Sequence, residues 1–159
     1  MTDRLLFDFG SFRNIVDNSI AIANYSNDIV SNIWFSKAAL GHRNGLRVRV
    51  YGENGSAEWF QLDSENLYFN DNRGNKFIID RASLDVNIST ELRYNRFKAG
   101  HPAGFIEAFA NYYSDIADLI IGKTDNKNRY VFGIEDALEG LKMLEAMTKS
   151  SKNKGWEKI

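Results

Sequence analysis

Hydrophobic and polar positions alternate through the first half of the chain and recur at steps of three and four through the second. The alternation is cleanest at Leu46–Tyr51, where Leu46, Val48 and Val50 fall on one side and Arg47, Arg49 and Tyr51 on the other. Asp17–Tyr25 alternates around Ile20 and Ile22, and Ser26-Asn27-Asp28 supplies turn chemistry. Ile29–Ala38 carries Ile33, Trp34 and Phe35, apolar on both faces, which predicts a central strand or a sheet with a partner on each side. Asn54-Gly55 predicts a tight hairpin. With those two residues at the centre of the turn, Val50 opposes Trp59, Tyr51 opposes Glu58, and Arg49 lies diagonal to Glu58. One face then gathers Arg47, Arg49, Tyr51, Glu58, Phe60 and Leu62, an amphipathic mixture that suits an interface. Asn66–Asn70 and Lys76–Asp80 form a further predicted hairpin around residues 71–75. Met1–Ile15 lacks a clear period and contributes at most a short strand at Leu5–Phe9, while Arg81–Ala99 reads as a weakly patterned connection.

The period then changes. Gly100–Gly122 places Phe105, Ile106, Phe109, Tyr112, Tyr113, Ile116, Leu119 and Ile120 on one helical face, with Glu107, Asn111, Ser114, Asp115 and Asp118 mainly opposite. Pro102 suits a first helical turn and Gly122 a stop. Gly122–Arg129 is a polar loop. Ile134–Ser150 is a second amphipathic helix, with Ile134, Ala137, Leu138, Leu141, Leu144 and Ala146 or Met147 toward the core. Ser150–Gly155 reads as a polar tether, and Trp156–Ile159 as a short closing strand. Strands followed by helices give an α+β class. The expected architecture is one domain over residues 1–159 in two layers: a large, mostly antiparallel open β-sheet with two main helices packed on one face.

Composition narrows the functional classes. At 159 residues, 43% hydrophobic and 26% charged, the chain is long and apolar enough for one globular core. A net charge of −1 offers no broad positive field for nucleic acid or anionic lipid. Cysteine is absent, which removes disulfides, thiolate ligands and a cysteine nucleophile and fits a reducing cytoplasm. No apolar run approaches the roughly 20 residues of a membrane span. The 11 Phe, 7 Tyr and 3 Trp indicate either a sheet-rich core or an adhesive subunit contact.

Motifs for self-contained chemistry are missing. There is no GxGxxG turn between a strand and a helix and no GxxxxGK[ST] loop, and Gly52-Glu53-Asn54-Gly55 joins two strands. Two histidines far apart, with no acidic residue at ligand spacing, argue against a metal site. Glu107, Asp115 and Asp118 read as the wet face of the long helix. His101, before Pro102, suits a capping or packing role as well as a functional one. His42, in the loop Gly41-His42-Arg43-Asn44-Gly45, is either part of a solvated turn or a binding residue on a rigid sheet.

Four blocks, in order, resemble the C-terminal domain of Gfo/Idh/MocA-type NAD(P)-dependent sugar oxidoreductases. They are Gly41-His42-Arg43-Asn44-Gly45-Leu46, Val50-Tyr51-Gly52-Glu53-Asn54-Gly55-Ser56-Ala57-Glu58-Trp59, the start of the long helix from Gly100-His101-Pro102-Ala103-Gly104-Phe105, and Glu135-Asp136-Ala137-Leu138-Glu139-Gly140. Gly155-Trp156 also fits. The resemblance implies an open sheet with helices on one side and subunit contacts, most simply a homodimer, on the other. It implies a sugar- or cyclitol-like substrate met by His42, Arg43, Asn44 and His101. His42 and Asn44 would hydrogen-bond hydroxyls, and Arg43 would meet a carboxylate or phosphate. NAD or NADP is implied for a complete enzyme and is not expected to bind this chain alone. The Glu-Lys-Pro motif and the Asp and His of the family's active-site helix do not occur here, so no catalytic residue is assigned. After Trp59 the family tends to read His-Gln-Glu, whereas this chain has Phe60-Gln61-Leu62, which makes the outer sheet face more apolar. The alternative is a stand-alone, non-catalytic dimerisation or carbohydrate-binding module.

Overall fold

A computed structural model describes residues 2–10, 17–83, 91–123 and 130–159, without the side chains of 2–10. The α+β class and the antiparallel pairing are observed, but the described strands divide between a three-stranded and a four-stranded sheet. The chain forms two compact units, residues 1–41 with 132–159, and residues 42–131.

The first unit contains strands β1 (Thr2–Gly10), β2 (Asn18–Tyr25) and β3 (Val30–Ser36), in the order β1-β2-β3. The central strand is therefore β2, and β3 lies at the edge. The apolar residues on both faces of β3 reflect a different placement from the expected one: Ile33 packs against the core, while Trp34 is 60% exposed on the opposite face. There the Trp34 indole donates to Asn18 Oδ1 at 2.7 Å. Helix α2 (Ile134–Asn153) runs along β1 and buries Ala146 and Met147 with Ala21 and Ala23 of β2. Small side chains, including the fully buried Ser19 and Ser150, let helix and sheet approach closely. The core side of α2 is thus its C-terminal half. Ile134, Leu138, Leu141 and Leu144, expected inside, are all exposed. The helix ends where Lys154 turns left-handed, at φ +52°, and Ser150 Oγ donates to the Gly155 carbonyl at 2.7 Å.

The second unit is a meander of β4 (Arg47–Gly52), β5 (Gly55–Phe60), β6 (Asn66–Asp71) and β7 (Lys76–Asp80), followed by helix α1 (Phe105–Ile120). The first hairpin turns at Glu53-Asn54, not Asn54-Gly55, and Gly52 pairs with Gly55. Val48 opposes Trp59, Arg49 opposes Glu58 and Val50 opposes Ala57, a register displaced by two residues from the expected one. Gly55 serves the neighbouring strand rather than the turn: a Cβ there would lie 2.3 Å from the Asn70 carbonyl oxygen. Because the displacement is even, the faces survive it. Arg47, Arg49, Tyr51, Glu58 and Phe60 still share one side, joined by Tyr68 and Ile78. Leu62 leaves that face, since Gln61–Asp63 is a short 3₁₀ turn.

Helix α1 begins at Phe105, so Pro102 precedes it. Its orientation reverses the expected one. The buried residues of α1 are Asp115 and Asp118, whereas Phe105, Ile106, Tyr113 and Ile120 are all more than 60% exposed. The helix makes no extended packing contact with any of the four strands among the described residues. Both faces of that sheet consequently show apolar side chains, Val50 and Phe77 on one and Tyr51 and Ile78 on the other.

Candidate functional site

The loop leading into β4 carries His42, Arg43 and Asn44, all exposed. Its far end is fixed. The Leu46 amide donates to Gln61 Oε1 at 3.0 Å, and the Gln61 amide donates to the Leu46 carbonyl at 2.9 Å. Gly45 lies against the Phe60 ring, where a Cβ would approach Cε2 to 3.1 Å. The Arg47 guanidinium covers the same ring at 4.4 Å from its centroid, and Arg49 Nε donates to Glu58 Oε2 at 2.8 Å. Asn44 adopts φ +34°, a conformation asparagine tolerates better than most residues.

His101 is exposed in the segment before α1. Its amide donates to the Lys98 carbonyl at 3.0 Å, and Gly100 takes φ +90° to close that turn. A cleft of about 220 Å³ beside it is lined by Glu65, Asn66, Asp80, Arg81, Ala99, Gly100 and Pro102. Neither residues 42–44 nor His101 itself lines this cleft.

Farther along α1, Asp115 and Asp118 project into the unit and both bind Arg93 as ion pairs. Tyr94 donates to Asp115 Oδ2 at 2.7 Å, and Lys123 Nζ lies 3.3 Å from Asp118 Oδ1. Arg93 holds the Asp118 carboxyl below its ordinary range, and the two aspartates raise the Arg93 guanidinium in turn. Burial first, then the bond to Asp115, pushes the Tyr94 phenol up to about 12. Expecting Asp115 and Asp118 on the wet face is therefore incorrect. No local pattern marks Arg93 or Tyr94, which act across more than twenty residues of sequence; the signal in the chain is two acids three residues apart near the end of an amphipathic helix.

Among the described residues, the usual dinucleotide cradle of strand, glycine-rich turn and helix start does not occur. A pyrophosphate site needs an open helix N-terminus. Here Glu107 Oε2 accepts the Gly104 amide at 2.8 Å, and Asp136 Oδ2 accepts the Gly133 amide at 2.7 Å. Each main helix thus holds one of its own carboxylates on its N-cap amide. The Gly52–Gly55 turn joins antiparallel strands and leads into no helix. Among the described residues, no group of three or more His, Cys, Asp or Glu could hold a metal ion, and no helix is long and apolar enough to cross a membrane.

An antiparallel α+β module with an exposed loop of polar residues is the class of domain these features define. Residues 7–159 match the oxidoreductase family, C-terminal alpha/beta domain. The chain belongs to this family, Gfo/Idh/MocA. It is 27% identical over 158 residues to an uncharacterised oxidoreductase, YfiI, of Bacillus subtilis (strain 168), covering 95% of this chain and 39% of that protein. An oxidoreductase from Sinorhizobium meliloti superimposes with a TM-score of 0.87 at 31% identity, over 99% of this chain and 46% of that one. An inositol dehydrogenase homologue from Azotobacter vinelandii, complexed with NADH and myo-inositol, shares the fold at a TM-score of 0.86 and 24% identity, over 99% of this chain and 44% of that one. The chain therefore spans less than half the length of these relatives.

Proposed function

We propose that this chain is the substrate-side and oligomerisation domain of an NAD(P)-dependent dehydrogenase acting on a sugar or cyclitol. In this reading His42, Arg43, Asn44 and His101 meet the substrate, and the nicotinamide cofactor and proton-transfer groups come from outside this chain. The observation that carries it is the family fold over nearly the whole chain. A solved relative of the same fold holding NADH and myo-inositol supports the substrate class. The exposed imidazole and amide side chains suit hydroxyl recognition, and Arg43 suits an anionic substituent. The lack of cysteine agrees with a cytoplasmic setting.

The self-contact belongs, in this proposal, to the sheet face of Arg47, Arg49, Tyr51, Glu58 and Phe60. Tyr51 is 77% and Ile78 67% exposed there, a surface that a soluble chain ordinarily covers. Each large apolar side chain buried would contribute roughly 1.5–3 kcal/mol before association costs. A two-fold axis lets the patch meet its own copy. Sedimentation at micromolar concentration tests this: a dimer that Phe60→Asp converts to monomer is expected, and an unmutated monomer refutes it. Titration of myo-inositol into the isotopically labelled chain tests the substrate reading. Amide shifts at residues 42–44 and 101 are expected at millimolar ligand, with no response to NADH at low micromolar concentration.

A further inference from the structure

We infer that Arg81 and Glu65 form a positioning pair that fixes the backbone of His101 at the edge of the adjoining cleft. This rests on the reading that His101 faces a polyhydroxylated substrate. The pair is assembled from distant parts of the chain: Arg81 follows the last strand of the meander, and Glu65 precedes β6. Arg81 Nε lies 3.2 Å from Glu65 Oε2, and the Arg81 side chain is only 11% exposed. Its Nη2 donates to the His101 carbonyl at 2.8 Å and reaches the Lys98 carbonyl at 3.4 Å. The other oxygen of Glu65, Oε1, accepts the Ala103 amide at 2.9 Å. The ion pair therefore spans the turn, holding Lys98 and His101 from one side and Ala103 from the other. The Gly104 amide, next in line, is capped by Glu107.

The physical logic is that of a supported binding group. A side chain can select a ligand only if its backbone is already fixed, because ordering it on binding would cost affinity. Arginine suits this role because its planar fork keeps its geometry while serving several acceptors, which lysine cannot do. Being charge-assisted, these bonds are stronger than neutral ones. His101 itself remains exposed, and the contacts from Arg81 reach its backbone carbonyl. Glu65 and Arg81 also line the cleft, so the same pair sets its wall.

The test uses the full chain, in which His42 serves as an internal reference. Imidazole resonances and amide exchange are followed in the unmutated chain, in Arg81→Gln and in Glu65→Gln, with myo-inositol as probe. In the variants, the His101 resonances shift and the Ala103 amide exchanges roughly ten-fold faster, while His42 is unmoved. Any myo-inositol response at His101 is lost with them. Unchanged His101 resonances and unchanged Ala103 exchange in both variants overturn the proposal. If Arg81→Gln disturbs His42 as well, Arg81→Lys decides: a change confined to His101 supports the pair, and none refutes it. If the unmutated chain shows no response to myo-inositol, the substrate reading fails, while the resonance and exchange data still decide the positioning pair.

Discussion

The two units hold their helices by opposite means. In the first, α2 is attached through apolar contact, with Ala146 and Met147 closed against Ala21 and Ala23. In the second, α1 is attached through charge, with Arg93 gripping Asp115 and Asp118 while Phe105, Ile106 and Tyr113 face outward. Both helices are amphipathic, so amphipathicity alone does not say which side a helix turns to its own unit. A sufficiently dense ion cluster can capture the polar side and leave the apolar stripe open. Such a stripe is an exposed apolar surface of the kind a soluble chain ordinarily covers.

The contrast breaks most visibly at Arg93. Arg93→Met leaves Asp115, only 3% exposed, and Asp118 without their shared cation. Removing one partner of a shielded pair strands the other charge. The unfolding midpoint of the second unit should fall by on the order of 5–10 °C, with α1 amides losing exchange protection and α2 amides keeping theirs. Equal loss in both helices would show that the two attachments are not separate.

Acidity sharpens the same contrast with a smaller effect. Asp118 has a folded-state pKa below its ordinary value because Arg93 hydrogen-bonds it. Its contribution is present above that ordinary value and is lost as pH falls through the depressed one. Below about pH 4, α1 should loosen before α2, measured by amide exchange across the acid range. Tyr94 has the opposite sign. Its pKa is raised to about 12, so its contribution is present below the ordinary 10.0 and is lost as pH rises through the folded value.

The first unit has its own breaking point. Ala146 is 4% exposed in a helix–sheet contact built from small residues. Ala146→Leu should cost about 1–3 kcal/mol by overpacking. Equilibrium denaturation read through α2 checks it, and α1 should be indifferent.

These differences mark what can be read from the sequence. Strand periods place β2, β3, β4 and β6 close to their observed ends, and β7 at Lys76–Asp80 as observed. Parity carries the right sheet faces through a wrong hairpin register, because the glycine that reads as a turn signal answers to Asn70 on the next strand. The stripe on α1 is legible, but its orientation depends on Arg93, more than twenty residues away, and no helical period records that. The same holds for the candidate site. The 42–44 loop and His101 stand out as local motifs, whereas Glu65 and Arg81 meet only because the meander returns them to one place. On α2 the pattern is right at Ala146 and Met147 and wrong at Ile134, Leu138, Leu141 and Leu144, since leucines outrank alanine and serine in hydrophobicity, yet close approach to β2 favours the smaller side chains.

The smallest expected effect comes from an ion pair that looks as good as any other on distance alone. Glu145 Oε1 and Lys149 Nζ are 2.8 Å apart, one turn from each other on α2. The pairing lowers the Glu145 pKa and raises that of Lys149, as opposite charges must. Both side chains are more than half exposed, so water and salt screen the attraction, and two long side chains lose freedom to make it. Arg93 and its aspartates differ in being shielded, with Asp115 almost fully buried and tied to Tyr94 as well. Burial, rather than separation, should therefore rank the two sets. Glu145→Gln should move the unfolding midpoint by under about 1 °C, and less still in high salt. A shift comparable to that of Arg93→Met would mean that charge holds both helices, and the distinction between the two units would fall.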